Sequence, residues 1–399
     1  MCGCSLPAEM LLEIVARSDA ATLVRCAASC KPLRRGIVNP AFIRRVCREP
    51  DGIVPPSLLG FIDLNPEARR KGIFSLAHPA TPAAASFSEK HLAPLLSRSG
   101  AAAAAGGLVG FTSLESRNGL VLLNRLRLSR MLDRLCVYDP MTSNCTFFPG
   151  PPDSKCRFVS YEYVLLTAAD GIVASSSFLL LAASFSGPMY GSLKVRTMPS
   201  DRCTWSPITV ASYSGQRRRQ CGGAAVIGSL IHWLTCDDND RDFQIVTYDV
   251  CTATAGSVQL PLEGLPDQCS NIHLTSTPDG GLRLLVVDKL TISVWLLSGS
   301  AAGWTHQAMI DTKATVRSMV RSSNTDMLQI VASGVKSGVV LLRPFSRNYF
   351  DNLEEDVDTQ TIIVLDVDTK ETRKAKRCNM LYIPYEVDLK ARLLAMKTF

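Results

Sequence analysis

Three times the chain runs a pair of β-forming residues into an aspartate that is followed three positions later by a threonine. The segments are Val137-Tyr138-Asp139-Pro140-Met141-Thr142, Thr247-Tyr248-Asp249-Val250-Cys251-Thr252 and Val364-Leu365-Asp366-Val367-Asp368-Thr369. An aspartate and a threonine at that spacing hydrogen-bond the backbone of a tight turn, which is what a short strand-to-strand connection selects. The aspartates lie 110 and 117 residues apart, with degenerate equivalents near Val195–Trp205 and Val294–Trp304. Halving those gaps predicts a unit of about 55–60 residues, and about six such units fit into residues 51–399.

The stretches around these turns are short and rich in β-formers: Leu120–Leu123, Leu135–Tyr138, Tyr163–Thr167, Phe178–Leu181, Val226–Leu234, Phe243–Tyr248, Leu282–Val287, Ile292–Leu297, Val339–Leu342 and Thr361–Leu365. Asn118-Gly119, Asp170-Gly171 and Asp279-Gly280-Gly281 punctuate them as turns. Repeated short strands without intervening helical patterns predict an all-β domain, and the period predicts a propeller of about six blades. Such a ring must close or expose edge strands. Tyr382–Leu389, or the strand around Gly60–Leu64, is the expected closing piece. The alanine-rich segment Ala101–Ala105 reads as a surface insertion.

Residues 1–50 follow a different rule. Pro7 suits a helix start and Glu9 its positive end, and Leu11, Leu12, Ile14 and Val15 then recur at helical spacing. Asp19 can cap a second helix with a stripe of Leu23, Val24, Cys26, Ala27 and Cys30. Pro32 opens a third through Val38, and Asn39-Pro40 leads into a last short turn with Phe42, Ile43 and Val46. So small a bundle cannot hide all these apolar side chains, which predicts a partner surface. The expected class is α+β multidomain: an all-α helical module over 1–50, then an all-β propeller-like domain over 51–399.

Other classes find little support. With 46% apolar residues the chain is not of the disordered type. Its net charge of +7, of which +4 falls in the first fifty residues, lacks the concentrated basic face of a nucleic-acid binder. The 14 cysteines never form a C-x-x-C pair, and the N-terminus shows no basic-then-apolar signal pattern. Reduced thiols in the cytoplasm or nucleus are expected. Gly171–Leu193 is uncharged and long enough to span a bilayer, but its serines and Pro188 favour two buried strands with a turn. No nucleophile elbow, phosphate loop, zinc-protease motif or dinucleotide fingerprint occurs, so no catalytic residue, cofactor or metal is expected. His232, between Ile231 and Trp233, reads as a packed histidine. Asp237–Asp242 lacks the glycine and distant glutamate of a calcium loop. Arg217-Arg218-Arg219 and the acidic run from Asp351 to Asp358 read as solvated loops, the latter also as a contact for a basic target.

Four N-terminal pieces, in order, resemble an F-box: Leu6-Pro7-Ala8-Glu9-Met10-Leu11-Leu12-Glu13-Ile14, Leu23-Val24-Arg25-Cys26, Ser29-Cys30-Lys31 and Asn39-Pro40-Ala41-Phe42. Leu33 stands where that family usually has Trp or Phe. The second part resembles the F-box-associated propellers abundant in plants, through Val137–Thr142 and His232-Trp233-Leu234. The resemblance implies docking on a Skp-type adaptor and, through it, a cullin–RING ubiquitin ligase, with the propeller holding an unidentified protein substrate. It implies a non-catalytic subunit acting without nucleic acid or membrane. Leu6, Pro7, Leu11, Leu12, Ile14, Leu23 and Cys30 are the expected adaptor contacts. A propeller hydrolase or lyase with a helical cap, and an F-box scaffold outside degradation, are the alternatives.

Overall fold

The computed structural model describes residues 6–18, 20–46, 58–63, 111–125, 134–142, 144–152, 161–171, 178–185, 191–202, 204–214, 218–237, 242–261, 271–277, 279–297, 303–320, 325–335, 337–346, 361–375 and 382–395. Asp19, the Ala101–Ala105 segment and the acidic run at 351–358 lie outside them, as do Arg217 and residues 238–241.

Four short helices come first: α1 (Ala8–Ala16), α2 (Ala20–Ser29), α3 (Lys31–Ile37) and α4 (Pro40–Val46). Pro7 is the residue before the first helical one, with φ −56° and ψ 145°, not the first helical residue itself. Strand β1 (Leu58–Asp63) follows, and then five four-stranded antiparallel blades in sequence order. Blade 1 is β2 (Phe111–Arg117), β3 (Leu120–Arg125), β4 (Arg134–Asp139) and β5 (Asn144–Pro149). Blade 2 is β6 (Glu162–Thr167), β7 (Phe178–Ser184), β8 (Ser192–Pro199) and β9 (Thr209–Ser212). Blade 3 is β10 (Arg219–Ile227), β11 (Leu230–Cys236), β12 (Phe243–Asp249) and β13 (Thr254–Gln259). Blade 4 is β14 (Ile272–Ser276), β15 (Leu282–Asp288), β16 (Thr291–Leu297) and β17 (Trp304–Asp311), followed by the short helix α5 (Lys313–Met319). Blade 5 is β18 (Met327–Ser333), β19 (Val339–Phe345), β20 (Ile362–Asp366) and β21 (Thr372–Ala375). Strand β22 (Tyr382–Glu386) and helix α6 (Leu389–Ala395) end the described chain.

The first strand of each blade faces the centre, where β2 meets β6, β10 meets β14, and β14 meets β18. Strand β22 lies between β18 and β2 and pairs antiparallel with β1, Phe61 opposite Pro384 and Asp63 opposite Tyr382. Both expected closing pieces are therefore used, one against the other. Among the described residues, five four-stranded blades plus this two-stranded sheet give the ring of about six units.

The repeated D-x-x-T phrase occupies the same place in blades 1, 3 and 5, the turn from third to fourth strand. The Met141 N–H donates to Asp139 Oδ1 at 3.0 Å and the Thr142 hydroxyl to Asp139 Oδ2 at 2.7 Å. Asp249 Oδ1 accepts from the N–H groups of Cys251 and Thr252, and Asp366 Oδ1 from those of Asp368 and Thr369. The degenerate equivalents fall at the same turn in blades 2 and 4. Their tryptophans do a different job: Trp205 Nε1 donates to the Pro149 carbonyl and Trp304 Nε1 to that of Gln259, tying each blade to the last strand of the one before. The Asn118-Gly119 hairpin has φ +48° and +78°, the pair of positive values that the tightest hairpin turn demands. One expected strand is really two, because Val226–Leu234 turns at Gly228 (φ +57°) from β10 into β11.

The helical module is no free-standing bundle. Val15, Ala16, Leu23, Val24, Ala27, Ile37, Ile43 and Val46 share one buried cluster with Phe111, Val121, Leu123, Cys136, Tyr138 and Met141 of blade 1 and with Tyr385, Val387 and Leu393 of the closing segment. Much of the apolar surplus expected for a partner is thus covered by the chain's own first blade. Arg25 Nε adds a 2.7 Å hydrogen bond to the Met141 carbonyl. On the other side of the seam, α6 holds blade 1 through an ion pair from Arg392 to Asp139, the aspartate of the repeat.

Candidate functional site

Helix α1 sorts its side chains by the arithmetic of 3.6 residues per turn. Leu12, Val15 and Ala16 lie on one side: Val15 and Ala16 are buried, and Leu12 packs against the same core and over Gly36. Met10 and Ile14 lie on the other, Leu11 falls on the boundary between the two, and Leu6 and Pro7 precede the helix at its N-terminal end. Leu6 is 41% exposed, Met10 and Ile14 54% each, Pro7 is exposed and Leu11 half-buried. Leu6, Pro7, Met10 and Ile14 leave an apolar strip open to solvent, with Leu11 at its edge. An exposed fork joins Glu13 on α1 to Arg45 on α4, Nη1 to Oε1 at 2.5 Å and Nη2 to Oε2 at 2.7 Å. The Arg45 hydrogen bond draws the Glu13 carboxyl below its ordinary value.

Of the expected contacts, Leu6, Pro7 and Ile14 are exposed together, and Leu11 lies at the edge of that strip. Leu12 belongs mainly to the inner face. Leu23 is a correction: at 0% exposure it is wholly enclosed in the core and offers no surface. Cys30 is exposed, but it precedes α3 rather than lying on α1. Met10, outside the expected set, sits four residues before Ile14 on the same face of α1; counting helical positions finds it.

A second concavity opens where the blade-to-centre hairpins converge. It is small, about 20 Å³, and is lined by Arg117, Asn118, Thr167, Ala169, Asp170, Val335, Glu386 and Asp388. Its polar groups already hold one another. Arg117 and Asp170 form a buried ion pair at 2.6 Å, and Arg117 Nη2 also reaches the Val226 carbonyl of blade 3. Glu386 accepts the N–H groups of Val335 and Ser337, Asn118 Oδ1 that of Asp388, and Asp388 Oδ1 that of Ala391. Nearby, Glu115 Oε2 accepts the Leu165 N–H at 2.7 Å, and burial pushes its carboxyl up to about 7. This is ring-closing chemistry, joining blades 1, 2, 3 and 5 to the closing strand. Among the described residues no group of three His, Cys, Asp or Glu side chains could hold a metal ion.

The remaining motifs resolve into structure. His232 is buried with Nδ1 3.3 Å from the Ala225 carbonyl. Arg218 is also buried, where a solvated loop was expected: it donates to the Asp242 carboxylate at 2.5 Å and to the Asp242 carbonyl. No described helix is long and apolar enough to cross a membrane.

Among curated proteins no sequence matches the chain. Among solved structures it is similar to a member of the duf4221 family from Bacteroides vulgatus, at 10% identity and TM-score 0.36, covering 66% of this chain and 80% of that one. It is also similar to an uncharacterised protein of Listeria monocytogenes, at 8% identity and TM-score 0.38, covering 70% and 87%. An oligogalacturonate lyase of Vibrio parahaemolyticus matches at 9% identity and TM-score 0.34, covering 66% of this chain and 64% of its own. Two family models match the sequence itself. Residues 4–49, which contain the open face of α1 and the Glu13–Arg45 fork, match the F-box-like domain. Residues 83–399, well over half the length, match the other model, so the chain belongs to the family described as a domain of unknown function, DUF7595, preceded here by an F-box-like domain.

Proposed function

We propose that this protein is the substrate-recognition subunit of an SCF-type cullin–RING ubiquitin ligase, with α1 docking on a Skp-type adaptor and the propeller presenting a target protein. The observation that carries the reading is the division of α1 into two apolar faces, one closed into the core with blade 1 and one left open within the F-box-like segment. A helix that keeps Leu6, Met10 and Ile14 in water at one end of a well-packed chain is built to be covered by a partner's groove. The subunit does no bond chemistry itself. It raises the effective concentration of a bound target beside the charged conjugating enzyme. The assembly works in the cytoplasm or nucleus.

The test is co-purification of the full chain with a Skp-type adaptor and cullin, comparing wild type with Met10→Asp combined with Ile14→Asp. Both positions face solvent, so the double variant keeps its fold and its melting temperature. It loses adaptor and cullin together. Wild-type recovery of adaptor by a folded double variant overturns the reading. Proteins that co-purify with the propeller and accumulate when the proteasome is inhibited distinguish a degradation receptor from a scaffold.

A further inference from the structure

The open strip on α1 ends in charge. Met10 and Ile14 lie one helical turn apart on the exposed side, and the next position in that progression is Arg17. Its N–H donates to the Ile14 carbonyl at 3.1 Å, which fixes the arginine one turn beyond Ile14 at the C-terminal end of the helix. The side chain is 80% exposed. Glu13 is the carboxylate beside it, but both Glu13 oxygens already accept from Arg45, at 2.5 and 2.7 Å, while Arg17 Nη2 stands 3.8 Å away. Two guanidinium groups therefore share one carboxylate, and Arg17 carries the charge left over. Glu9, exposed in the first turn, gives the other end of the helix the opposite sign. The helix dipole favours any cation in the last turn. What is particular to Arg17 is its place on the line of Met10 and Ile14, so that α1 offers an apolar strip with a direction.

We propose that the groove covering α1 is apolar beneath Leu6, Met10 and Ile14 and carries an acidic side chain opposite Arg17, so that the charge at the end of the strip sets the direction in which the helix is seated. The inference deepens the adaptor reading and rests on it: the partner is the Skp-type adaptor, and what is added is the sign of its rim and the residue that meets it. An apolar strip by itself fits a groove in either direction, because burial of apolar surface is non-directional. A guanidinium at one end removes that ambiguity. Seated in reverse, Arg17 lies away from the acidic rim and Glu9 comes towards it, like charge on like. Direction matters in a receptor of this kind. Helix α1 packs its inner face into the core shared with blade 1, so the way it enters a groove fixes where the propeller points.

The test is calorimetric titration of the full chain with a purified Skp-type adaptor at about 50 mM and about 500 mM salt, which brackets weak and strong screening. Wild type binds more weakly at the higher salt. Arg17→Glu binds about tenfold more weakly than wild type at the lower salt and loses most of the salt dependence, and Arg17→Gln falls between the two. Arg44→Glu makes the same change in net charge at an exposed position of α4, next to the arginine that holds Glu13 and turned away from it, and binds within about twofold of wild type. Adaptor bound by wild type with an affinity that neither salt nor Arg17→Glu changes overturns the acidic rim and leaves the adaptor reading standing. Equal losses in Arg17→Glu and Arg44→Glu overturn it as well, because they report net charge alone. A wild-type chain that binds no adaptor removes both readings, as does one that dimerises by itself and becomes monomeric when Met10→Asp is combined with Ile14→Asp.

Discussion

The acid limb of this protein's stability has a calculable part at His232. The ring sits on β11 directly across from Ala225 of β10, 4% exposed, between Ile231 and the fully buried Trp233. Burial pushes its imidazole down to about 4 from 6.5, although hydrogen bonds with the Ala225 and Leu230 backbone pull the other way. The unfolded chain binds a proton at this residue as the pH falls below about 6.5, whereas the folded chain refuses it until about 4, so stability falls through that window. Between pH 7.5 and pH 5.0 the differential protonation amounts to about 2 kcal/mol against the fold. His232→Gln keeps a donor for the Ala225 carbonyl and cannot titrate. It costs a pH-independent amount, which cancels when each protein is compared with itself at the two pH values. Denaturant unfolding followed by tryptophan fluorescence should show the variant losing about 2 kcal/mol less than wild type over this step. Equal losses in both proteins refute the idea that His232 is held neutral by the core.

Three other substitutions probe the same packing. Glu115 titrates with the opposite sign: its carboxyl, raised from 4.5 to about 7, stabilises the fold below pH 4.5 and loses that contribution as the pH rises through 7, so Glu115→Gln steepens the loss of stability between pH 7.5 and 5.0 in the same denaturant assay. Leu23→Ala removes a fully enclosed side chain from the core shared by α2 and blade 1 and should cost about 2–5 kcal/mol in thermal or denaturant unfolding. Gly119→Ala places a methyl group at φ +78°, 2.8 Å from Arg392 Nη1 and 3.0 Å from a Val387 methyl; a destabilisation above about 1 kcal/mol is expected, with faster amide exchange along β22.

How much of this could be read from the residues depends on whether the physics was local. The D-x-x-T turns were legible because aspartate, threonine and the backbone they hold lie within three residues, and Asn118-Gly119 for the same reason. The ring closure was half-legible. Both closing segments carried strand patterns, but nothing local says that β1 and β22 pair with each other across more than three hundred residues. Leu23 shows where the reading failed. A buried stripe on α2 looks the same whether it faces a partner or the chain's own blade, and only the tertiary seam with Val121, Tyr138 and Leu393 decides. Arg218 and Asp242 fail more mildly. The arginine run looked solvated alone, yet Arg219 pairs with Cys236 at the open end of the β10–β11 hairpin, and that register brings Arg218 to Asp242.

The seam also bears on how a receptor of the proposed kind would work. A target delivered for modification must be held within reach of a reactive partner, and a flexible tether spreads that target over a volume that grows with its length. Here the orientation of α1 does not depend on the stretch between α4 and β1. Val15 and Ala16 on the inner face of α1, Leu23 and Val24 on α2, and Ile43 and Val46 on α4 share one core with Tyr138 of blade 1 and Tyr385 of the closing strand. The Tyr385 hydroxyl in turn donates to the Gly119 carbonyl at 3.1 Å, inside the hairpin that meets the ring centre. A partner seated on Leu6, Met10 and Ile14 is therefore coupled to the propeller through contiguous packing. Loosening that core by Leu23→Ala should relax the placement of a captured target, even where the open face of α1 is left chemically untouched.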